Sequence, residues 1–532
     1  MLRDFTGRST RPSLARITAI VLFGLSLPWA PTPGHADSSP AQTSGVEIPP
    51  GQIEKAIGRL DELAADMMKR SGVPGMAVAV VQGDKTVYAK GFGVRKAGEA
   101  APVDADTVFQ IASLSKPLTG SVVAHQVGAG IVKWDTPVIA HLPWFRLSDP
   151  WITDHVTIGD MFSHRSGLPD HAGDDLEDLG HGRRHVLEQL RLLPLHGFRQ
   201  IYNYTNFGMT AAAEAVAQAS GKPWEILAEE VLYEPLDMAS TSSRFADFEK
   251  QANRAIGHVK VGNDYEPKYQ RLPDEQSPAG GVSSSVRDLA RWMTMILQNG
   301  RFEGREIVPE AALLPALTAQ MIAAPSATVD ARPGFYGYGM GVGVSPSGRM
   351  ILSHSGAFAL GASTYVAMIP SADIAIVVLT NASPSGAAEA LGASFADLVE
   401  FGKITRDWFP AYAARLASVT APVGTLIGKS PPADQKPAAP LASYAGAYGN
   451  DYFGNAVIAV VGNELELMIG KAPTKYRLTH WNGDVFAFHP SSENQPDGSV
   501  AALTFERNAG GTATAFTIDY LDENGLGQFV RR

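Results

Sequence analysis

The 532-residue sequence contains no cysteine. This absence excludes disulfide bonds, thiolate nucleophiles and cysteine-ligated zinc sites. Positive charge is also scarce: 44 Lys and Arg residues stand against 54 Asp and Glu residues, which gives a formal net charge of −10. Proteins that bind nucleic acid need a basic surface to neutralise phosphates, so we expect no nucleic-acid partner.

Long hydrophobic runs are lacking as well. A short run near the N terminus, 17–27, follows several arginines and precedes the small residues of 34–36. This order is typical of a secretory signal peptide, whereas a membrane anchor, the alternative, takes about 20 apolar residues. We therefore expect residues 1–36 to be a signal peptide that is removed on export, to the periplasm of a bacterium, with no stable membrane insertion afterwards. A Ser-, Pro- and Gly-rich linker is predicted over 37–51.

The chain is too long for one ordinary domain. Residues 52–415 combine helical spacing with apolar runs typical of strands, and 416–440 are rich in Pro, Ala, Gly and Lys, as in a linker. Residues 441–532 contain short alternating runs separated by turn residues, which predict a small antiparallel β-barrel. Its predicted strands are 456–461, 464–469, 475–479, 485–489, 501–507 and 512–520.

Strand patterns at both ends of the 52–415 domain enclose a helical middle. Such a chain can form one antiparallel sheet from its two ends, with helices on the faces and an all-helical subdomain, which is an α/β (α+β) fold. The predicted elements are a helix over 53–70, a hairpin of 76–81 and 86–92, strands over 339–344, 350–353, 363–369 and 374–379, and a helix over 395–408.

Two common catalytic motifs are absent, G-x-S-x-G and H-E-x-x-H. Instead, Ser113 stands three residues before Lys116, which Pro117 follows. Proline is tolerated in the first turn of a helix, so a helix continuing over 118–132 is predicted to begin here. Residues three apart share a helix face, so a neutral Lys116 amine could take the Ser113 proton. An ordinary helix start with a surface lysine is the alternative interpretation.

The segment 109–118 (Phe-Gln-Ile-Ala-Ser-Leu-Ser-Lys-Pro-Leu) resembles the first motif of the penicillin-recognising serine hydrolases. That family includes class C β-lactamases, DD-peptidases, family VIII esterases and D-aminopeptidases. Tyr204-Thr-Asn206 is similar to the family's Y-x-N motif, and His354-Ser-Gly356 to its third motif, K-T-G or H-x-G. The resemblance covers about residues 55–405. Three supporting segments also match the family: 163–169, 278–284 and 336–339.

The resemblance implies a Ser-x-x-Lys mechanism. Ser113 would form the acyl-enzyme, and Lys116 and Tyr204 would share the proton transfers as general base and acid. A tyrosine becomes a usable base only if a cation stabilises its phenolate, and Lys116 is the expected cation.

The same resemblance assigns the surrounding groups. Asn206 would hydrogen-bond the acyl-side amide of the substrate, and His354 would line the site. The oxyanion hole would come from the backbone N–H groups of Ser113 and Ala357, and Gly356 would leave room for the substrate. Histidine replaces the lysine of K-T-G, so the cation that pairs with a β-lactam carboxylate is lost or depends on pH.

Two further regions have open interpretations. The acidic segment 170–178 with His181 and His185 could hold a metal, but a solvated charged lid over 169–198 is the preferred hypothesis; no metal and no cofactor are expected. The tail from Tyr444-Ala-Gly-Ala-Tyr448 onward resembles a lipocalin-like accessory domain. Packing or dimerisation is its preferred role, and restriction of the cleft to particular peptides is the alternative.

The leading hypothesis is an exported amide-bond hydrolase that acts on small or unusual peptides, such as D-residue-containing or linearised cyclic ones. A carboxylesterase or weak β-lactamase would use the same residues. A penicillin-binding-like sensor, which acylates without turnover or not at all, is the non-enzymatic alternative. The expected partner is a small peptide, amide or ester substrate, and homo-oligomerisation stays open.

Overall fold

The computed structural model describes residues 44–532. The predicted signal peptide, 1–36, lies outside the described residues, as does the first part of the predicted linker; the remainder of that linker, 44–51, contains no helix or strand. Within the described part of the chain, no helix has both the length and the apolar character needed to cross a bilayer. Export therefore stays a prediction.

An eight-stranded antiparallel sheet organises the first domain. Its order is β2-β1-β14-β13-β12-β11-β10-β9, and two-stranded pairs β3-β6, β4-β5 and β7-β8 lie outside it. The strands are β1 (Gly75–Gln82), β2 (Lys85–Gly93), β3 (Phe109–Gln110), β4 (Val259–Val261), β5 (Asp264–Glu266), β6 (Ser283–Ser284), β7 (Arg301–Phe302), β8 (Arg305–Glu306), β9 (Met321–Ala324), β10 (Gly334–Tyr336), β11 (Gly341–Val344), β12 (Met350–Phe358), β13 (Ala362–Ile369) and β14 (Ile374–Thr380).

Helices cover both faces of this sheet and fill the middle of the domain. They are α1 (Gln52–Ile57), α2 (Leu60–Ser71), α3 (Ser115–Gly128), α4 (Pro150–His155), α5 (Ile158–Phe162), α6 (Asp174–Asp178), α7 (Arg183–Gln189), α8 (Asn206–Ser220), α9 (Trp224–Ala228), α10 (Phe245–Lys250), α11 (Ser277–Gly280), α12 (Val286–Leu297), α13 (Glu310–Leu313), α14 (Ala387–Phe401) and α15 (Phe409–Leu416).

Strand β1 shows why the sheet needs helices on both sides. Ala77 and Ala79 belong to the hydrophobic cluster that includes Leu289 of α12, whereas Val78 belongs to a second cluster with Leu391 of α14. A strand buried on both faces has a continuous apolar run rather than an alternating one. The predicted closure of one sheet from the two ends of the domain is confirmed, because β1 pairs antiparallel with β14.

Two predicted helices have different bounds in the structure. The helix predicted over 53–70 is two helices, α1 and α2, which are separated at Gly58 and Arg59. The helix predicted over 395–408 is wrong at both ends, because α14 begins at Ala387 and ends at Phe401. Gly402 adopts a left-handed conformation (φ 68°) and caps α14, which glycine does without steric penalty.

A closed eight-stranded antiparallel barrel follows residues 421–440, which contain no helix or strand. The six predicted strands are present, and the terminal strands β15 and β22, which sequence patterns missed, pair with each other and close it. The barrel strands are β15 (Gly446–Asn450), β16 (Gly454–Val461), β17 (Glu464–Ile469), β18 (Thr474–Asn482), β19 (Val485–Phe488), β20 (Ala501–Arg507), β21 (Ala513–Ile518) and β22 (Gln528–Arg531). The predicted domain boundaries remain predictions.

The barrel packs directly on the first domain. Leu176 and Leu179 of the first domain share one hydrophobic cluster with Tyr452 and Phe453 of the barrel. The backbone N–H of Lys471 also donates to the carbonyl oxygen of Leu179 at 2.9 Å. Apolar burial is the main stabilising term in such interfaces, so the barrel and the first domain share a continuous buried core.

Candidate active site

Ser113 lies in a 3₁₀ turn, Ala112–Leu114, that leads directly into α3. Pro117 is the third residue of α3, so its missing N–H falls in the first turn, as predicted. Ala112 has φ 48°, a left-handed conformation that is strained for a residue with a Cβ. The Ser115 hydroxyl holds the turn, because it donates to the Ala112 carbonyl at 2.6 Å and accepts from the Val282 N–H at 3.0 Å.

The structure brings the three predicted catalytic side chains together. Lys116 Nζ lies 3.0 Å from Ser113 Oγ, and Tyr204 Oη lies 2.8 Å from the same oxygen. Tyr204 comes from the loop before α8, some ninety positions along the chain. Distances of this size allow proton transfer between the hydroxyl and either neighbour.

Lys116 is completely buried, although lysine is a charged residue type. Its Nζ also contacts two oxygens, Asn206 Oδ1 at 2.7 Å and the Ala279 carbonyl at 2.9 Å. Burial lowers the pKa of Lys116 to about 7, against the attraction of Asp174. A neutral amine has two N–H bonds and one lone pair, so with both N–H bonds directed at these oxygens the lone pair faces the Ser113 hydroxyl.

Tyr204 is neutral in this setting. Burial raises its pKa, the hydrogen bond with Ser113 opposes that effect, and the charges of Asp174 and Asp170 add to it. Lys116 Nζ lies 4.5 Å from the centroid of the Tyr204 ring, and both groups contact Ser113 Oγ. In the resting site the neutral lysine is therefore the base and the phenol the proton donor. The expectation that Lys116 stabilises a Tyr204 phenolate stays a prediction.

Asn206, the first residue of α8, links Lys116 to an acidic group. Its Oδ1 accepts from Lys116, and its Nδ2 donates to Asp174 Oδ2 at 2.9 Å. The same Asp174 oxygen lies 2.9 Å from His171 Nδ1. Asn206 therefore positions Lys116. The second N–H of its side-chain amide is free for another acceptor, and a hydrogen bond from Asn206 to a substrate amide stays a prediction.

The loop that carries Tyr204 is fixed by His164. The backbone N–H of Thr205 donates to His164 Nδ1 at 3.1 Å, and the N–H of Asn203 donates to the His164 carbonyl at 2.9 Å. Burial lowers the pKa of His164 well below its usual value, as do the charges of Lys116 and other neighbours, so the ring is neutral. This contact explains why the 163–169 segment accompanies the Tyr204 motif.

His354 is also neutral. Burial, with a further contribution from Lys116, lowers the pKa of His354 to about 3. Its Nδ1 lies 2.6 Å from the Ser355 carbonyl, which requires an N–H there, and its Nε2 then accepts from the Tyr336 hydroxyl at 2.7 Å. The third motif therefore supplies no cation at this position for a substrate carboxylate.

Gly356 serves close packing rather than substrate access. A Cβ at this position would lie 2.3 Å from Thr364 Oγ1 and 2.4 Å from the Ile111 carbonyl. Strand β12 thus contacts the turn that carries Ser113. Glycine is required at position 356 for this contact, rather than to make room for the substrate as expected. Ala357 lines the cleft together with Ser113, and its part in an oxyanion hole stays a prediction.

The cleft around Ser113 has a volume of about 470 Å³, and part of its wall comes from outside the first domain. We define the barrel loop as residues 489–500, between β19 and β20. Glu493, Asn494 and Pro496 of this loop line the cleft, as do Val419 and Val423 of the connecting segment. The width of the cleft at Ser113 therefore depends on the position of the barrel loop.

Two carboxylates of the acidic segment, those of Asp175 and Asp178, hold the barrel loop. Asp178 Oδ2 accepts from Ser492 Oγ at 2.7 Å and from the Asn494 backbone N–H at 3.1 Å, and Asp175 Oδ1 accepts from Gln495 Nε2 at 2.9 Å. These contacts correct the expectation of a solvated segment at Asp175 and Asp178, whose carboxylates are turned toward the barrel, whereas Asp170 is 62% exposed.

A buried ion pair supports the same interface. Arg271 Nη2 donates to Glu177 Oε2 at 2.5 Å, and both side chains are under one-tenth exposed. Glu493 of the barrel loop accepts from the Ala359 N–H at 2.7 Å, and burial raises its pKa to about 8 despite the nearby Arg271. Several buried carboxyl groups thus depend on one guanidinium.

His181 and His185 stack with ring centroids 4.4 Å apart. No cluster of three or more metal-ligating side chains occurs within 44–532. Both histidines lie at the barrel interface. His185 belongs to α7, whose Gln189 donates from Nε2 to the Asp451 carbonyl at 3.1 Å, and a Cβ at Gly454 of the barrel would lie 4.0 Å from His181 Cε1.

Comparison with known families accounts for most of the chain. The family described as Beta-lactamase matches residues 60–400. The chain belongs to the β-lactamase family. The predicted resemblance to penicillin-recognising serine hydrolases is thereby confirmed, and the site described above is that of a β-lactamase-like protein. A family described as Domain of unknown function (DUF3471) matches residues 430–528, which include seven of the eight barrel strands and the start of β22.

Curated relatives of this β-lactamase-like chain include named hydrolases. It is 28% identical to unguisins hydrolase ungD′ of Aspergillus campestris over 337 residues, and this alignment covers 61% of each chain. It is 26% identical to unguisins hydrolase ungD of Aspergillus violaceofuscus, over 86% of this chain and 82% of that one. It is 25% identical to the D-alanyl-D-alanine-carboxypeptidase/endopeptidase AmpH of Escherichia coli, over 62% and 85%.

A solved structure has the same fold. The octameric penicillin-binding protein homologue from Pyrococcus abyssi aligns with a TM-score of 0.57 at 20% identity, over 89% of this chain and all of that one. At this identity the likeness concerns the fold alone.

Several groups of the site escaped the sequence analysis. The Ala279 carbonyl contacts Lys116 directly, Asp174 is linked to it through Asn206, and His171 contacts Asp174. Arg271 has no motif around it. The partial signals in the sequence are the acidic segment 170–178, which contains His171 and Asp174, and the flanking match 278–284, which contains Ala279.

Proposed function

We propose that this protein is an exported serine hydrolase that cleaves amide bonds of small or unusual peptides through an acyl-enzyme on Ser113. The observation that carries the proposal is the buried Lys116, whose two acceptor oxygens leave its lone pair directed at Ser113 Oγ. The names of the relatives, two unguisins hydrolases and a carboxypeptidase/endopeptidase, support peptide substrates. D-residue-containing or linearised cyclic peptides are the proposed substrates.

In acylation, Ser113 Oγ attacks the amide carbonyl carbon while its proton passes to Lys116 Nζ. The tetrahedral oxyanion would be held by the backbone N–H groups of Ser113 and Ala357. The Tyr204 hydroxyl gives its proton to the leaving nitrogen as the C–N bond breaks, and the Lys116 ammonium restores the proton to Tyr204. In deacylation, water attacks the ester carbonyl and the neutral Lys116 takes the water proton, directly or through Tyr204. The Lys116 ammonium then gives a proton to Ser113 Oγ as the ester C–O bond breaks, which regenerates the hydroxyl and the neutral amine.

The neutral histidine disfavours substrates that are anchored by a carboxylate at the third motif, as β-lactams are. Efficient β-lactamase activity is therefore not expected. Export to the periplasm and self-association remain part of the proposal, and the octameric fold neighbour makes oligomer size worth measuring.

The proposal is tested with the mature protein and its Ser113→Ala variant. Both are incubated with a panel of D- and L-peptides, a short-chain nitrophenyl ester and a chromogenic cephalosporin. We expect peptide cleavage by the wild type alone. Equal activity of the two proteins would refute the mechanism, preference for the ester would indicate a carboxylesterase, and a stable β-lactam adduct without turnover would indicate a sensor.

A pH profile tests which group is the base. Because the pKa of Lys116 is lowered to about 7, its neutral form increases as pH rises through that value. We expect kcat/KM for a neutral peptide to rise between pH 5.5 and 8.5 with an apparent pKa near 7. A profile that is flat over this range, or that falls with rising pH, would contradict the assignment of Lys116 as base.

A further inference from the structure

A second cavity, of about 560 Å³, lies beside the cleft. Pockets of this volume commonly hold small-molecule ligands. Phe358 and Arg271 line both this cavity and the cleft at Ser113, and the Arg271 guanidinium lies 5.3 Å from the centroid of the Phe358 ring. The two spaces therefore share a wall made by one aromatic ring and one guanidinium.

The wall of this cavity is strongly basic in a protein whose net charge is negative. Its cationic lining residues are Arg95, Lys96, Arg254, Lys268 and Arg271, against the single acidic lining residue Glu99 among the described residues. Three of these cations are already neutralised, by Lys96–Glu99 (2.7 Å), Lys268–Asp497 (2.6 Å) and Arg271–Glu177 (2.5 Å).

Arg95 and Arg254 are not neutralised. Neither guanidinium forms an ion pair with a carboxylate in residues 44–532; Arg95 Nη1 donates to the Ala252 carbonyl at 2.8 Å, and Arg254 Nη1 to the Gln251 carbonyl at 2.8 Å. Arg95 Nε is buried and has no hydrogen-bond partner in the described part of the chain. That atom is too deeply buried for a ligand to reach, so recognition of an anion depends on the terminal N–H groups of the two guanidiniums. Such groups form charge-assisted hydrogen bonds with a carboxylate.

We propose that this cavity is an anionic subsite, in which Arg95 and Arg254 bind a carboxylate group of the peptide substrate. The inference rests on the proposed function, because the shared Phe358–Arg271 wall places the subsite next to the acylation centre. Guanidinium groups suit this task, since their forked N–H donors match the two oxygens of a carboxylate. The neutral His354 is consistent with this proposal. Because the third motif supplies no cation at His354, a substrate carboxylate would be bound by the arginines of this cavity instead.

The carboxylate could belong to an acidic side chain or to the free C terminus of the peptide. Three N-acetylated pentapeptides separate these sources: one with a central glutamate and a C-terminal amide, one with a central glutamine and a free C terminus, and one with glutamine and an amide. Binding is measured by calorimetry on the Ser113→Ala variant, so that no turnover is needed.

We expect at least one of the two anionic peptides to bind about ten-fold or more tightly than the neutral peptide. Adding Arg254→Gln should reduce this preference to within about two-fold, with the Kd of the neutral peptide unchanged, and Arg254→Lys should restore part of it. Arg95→Gln should act in the same direction. The control is Arg301→Gln, which removes an exposed arginine outside the cavity and should leave the preference intact.

Equal Kd values for the three peptides, or no binding of any, would overturn the subsite. The subsite would also be overturned if the Arg254→Gln variant kept the full preference for anionic peptides. This reading requires that the variant has the same thermal unfolding midpoint as the parent protein. Failure of the proposed function gives a different result. In that case the anionic peptides still bind to the Ser113→Ala variant, but the wild-type protein cleaves none of the three peptides.

Discussion

Replacing Lys116 with methionine is expected to lower kcat/KM for a peptide substrate by about 10³-fold or more. General-base catalysis contributes on the order of 10²–10⁴-fold, and an unactivated serine hydroxyl is a poor nucleophile. Methionine has nearly the same length and fills the same buried space, but it has no proton-accepting nitrogen. The measurement is kcat/KM at pH 8, where the wild-type amine is mostly neutral.

The fold should survive this change. Burial of a lysine is unfavourable, and the substitution removes that penalty while leaving Asn206 Oδ1 and the Ala279 carbonyl without a donor. We therefore expect a thermal unfolding midpoint within a few degrees of the wild type. Lys133→Met, at an exposed position beyond the end of α3, is the matched control and should keep full activity. An active Lys116→Met variant would show that another group is the base.

Replacing Arg271 with methionine is expected to lower the free energy of unfolding by about 3–5 kcal/mol. That is the usual effect of removing one partner of a buried ion pair, because the remaining charge is left unpaired. Here Glu177 loses its direct partner, and Glu493 and Asp178 lose the nearby positive charge that lowers their pKa values. Chemical denaturation at pH 8 measures the effect.

The control for this prediction is Arg287→Met. Arg287 pairs with Asp106 on the surface, where the two side chains are 48% and 60% exposed, and exposed pairs contribute about 0–1 kcal/mol. Adding Glu177→Leu to Arg271→Met should recover much of the lost stability, since it removes the unpaired carboxylate. A loss below about 1 kcal/mol in the single variant would show that the carboxyl groups are protonated without the arginine.

The Arg271 variant also tests how the barrel affects the cleft. Glu493 and Asn494 line the space around Ser113, and Arg271 lies beneath the loop that carries them. A loosened barrel loop is expected to raise KM for short peptides and to admit longer ones. This behaviour would favour the restriction of the cleft over simple packing as the role of the barrel.

Much of the site could be predicted from local sequence. Pro117 placed the start of α3, so the Ser113–Lys116 pair followed from helix geometry, and the motifs in order indicated that Tyr204 would join them. His354 instead pairs with Tyr336 and the Ser355 carbonyl and does not line the cleft. The alternating runs after residue 455 predicted a barrel. The terminal strands were missed because β15 is short and glycine-containing and β22 is only four residues long.

The sequence by itself determined the chain's family, its fold class and the side chains that meet at Ser113, because these depend on local patterns and on motif order. Only the tertiary structure decided which of them is neutral. Burial sets the pKa of Lys116 to about 7 and that of His354 to about 3, and burial comes from segments far apart in the chain. The same holds for the acidic segment: its residues looked solvated in sequence, but the barrel loop that covers them begins some 310 positions later.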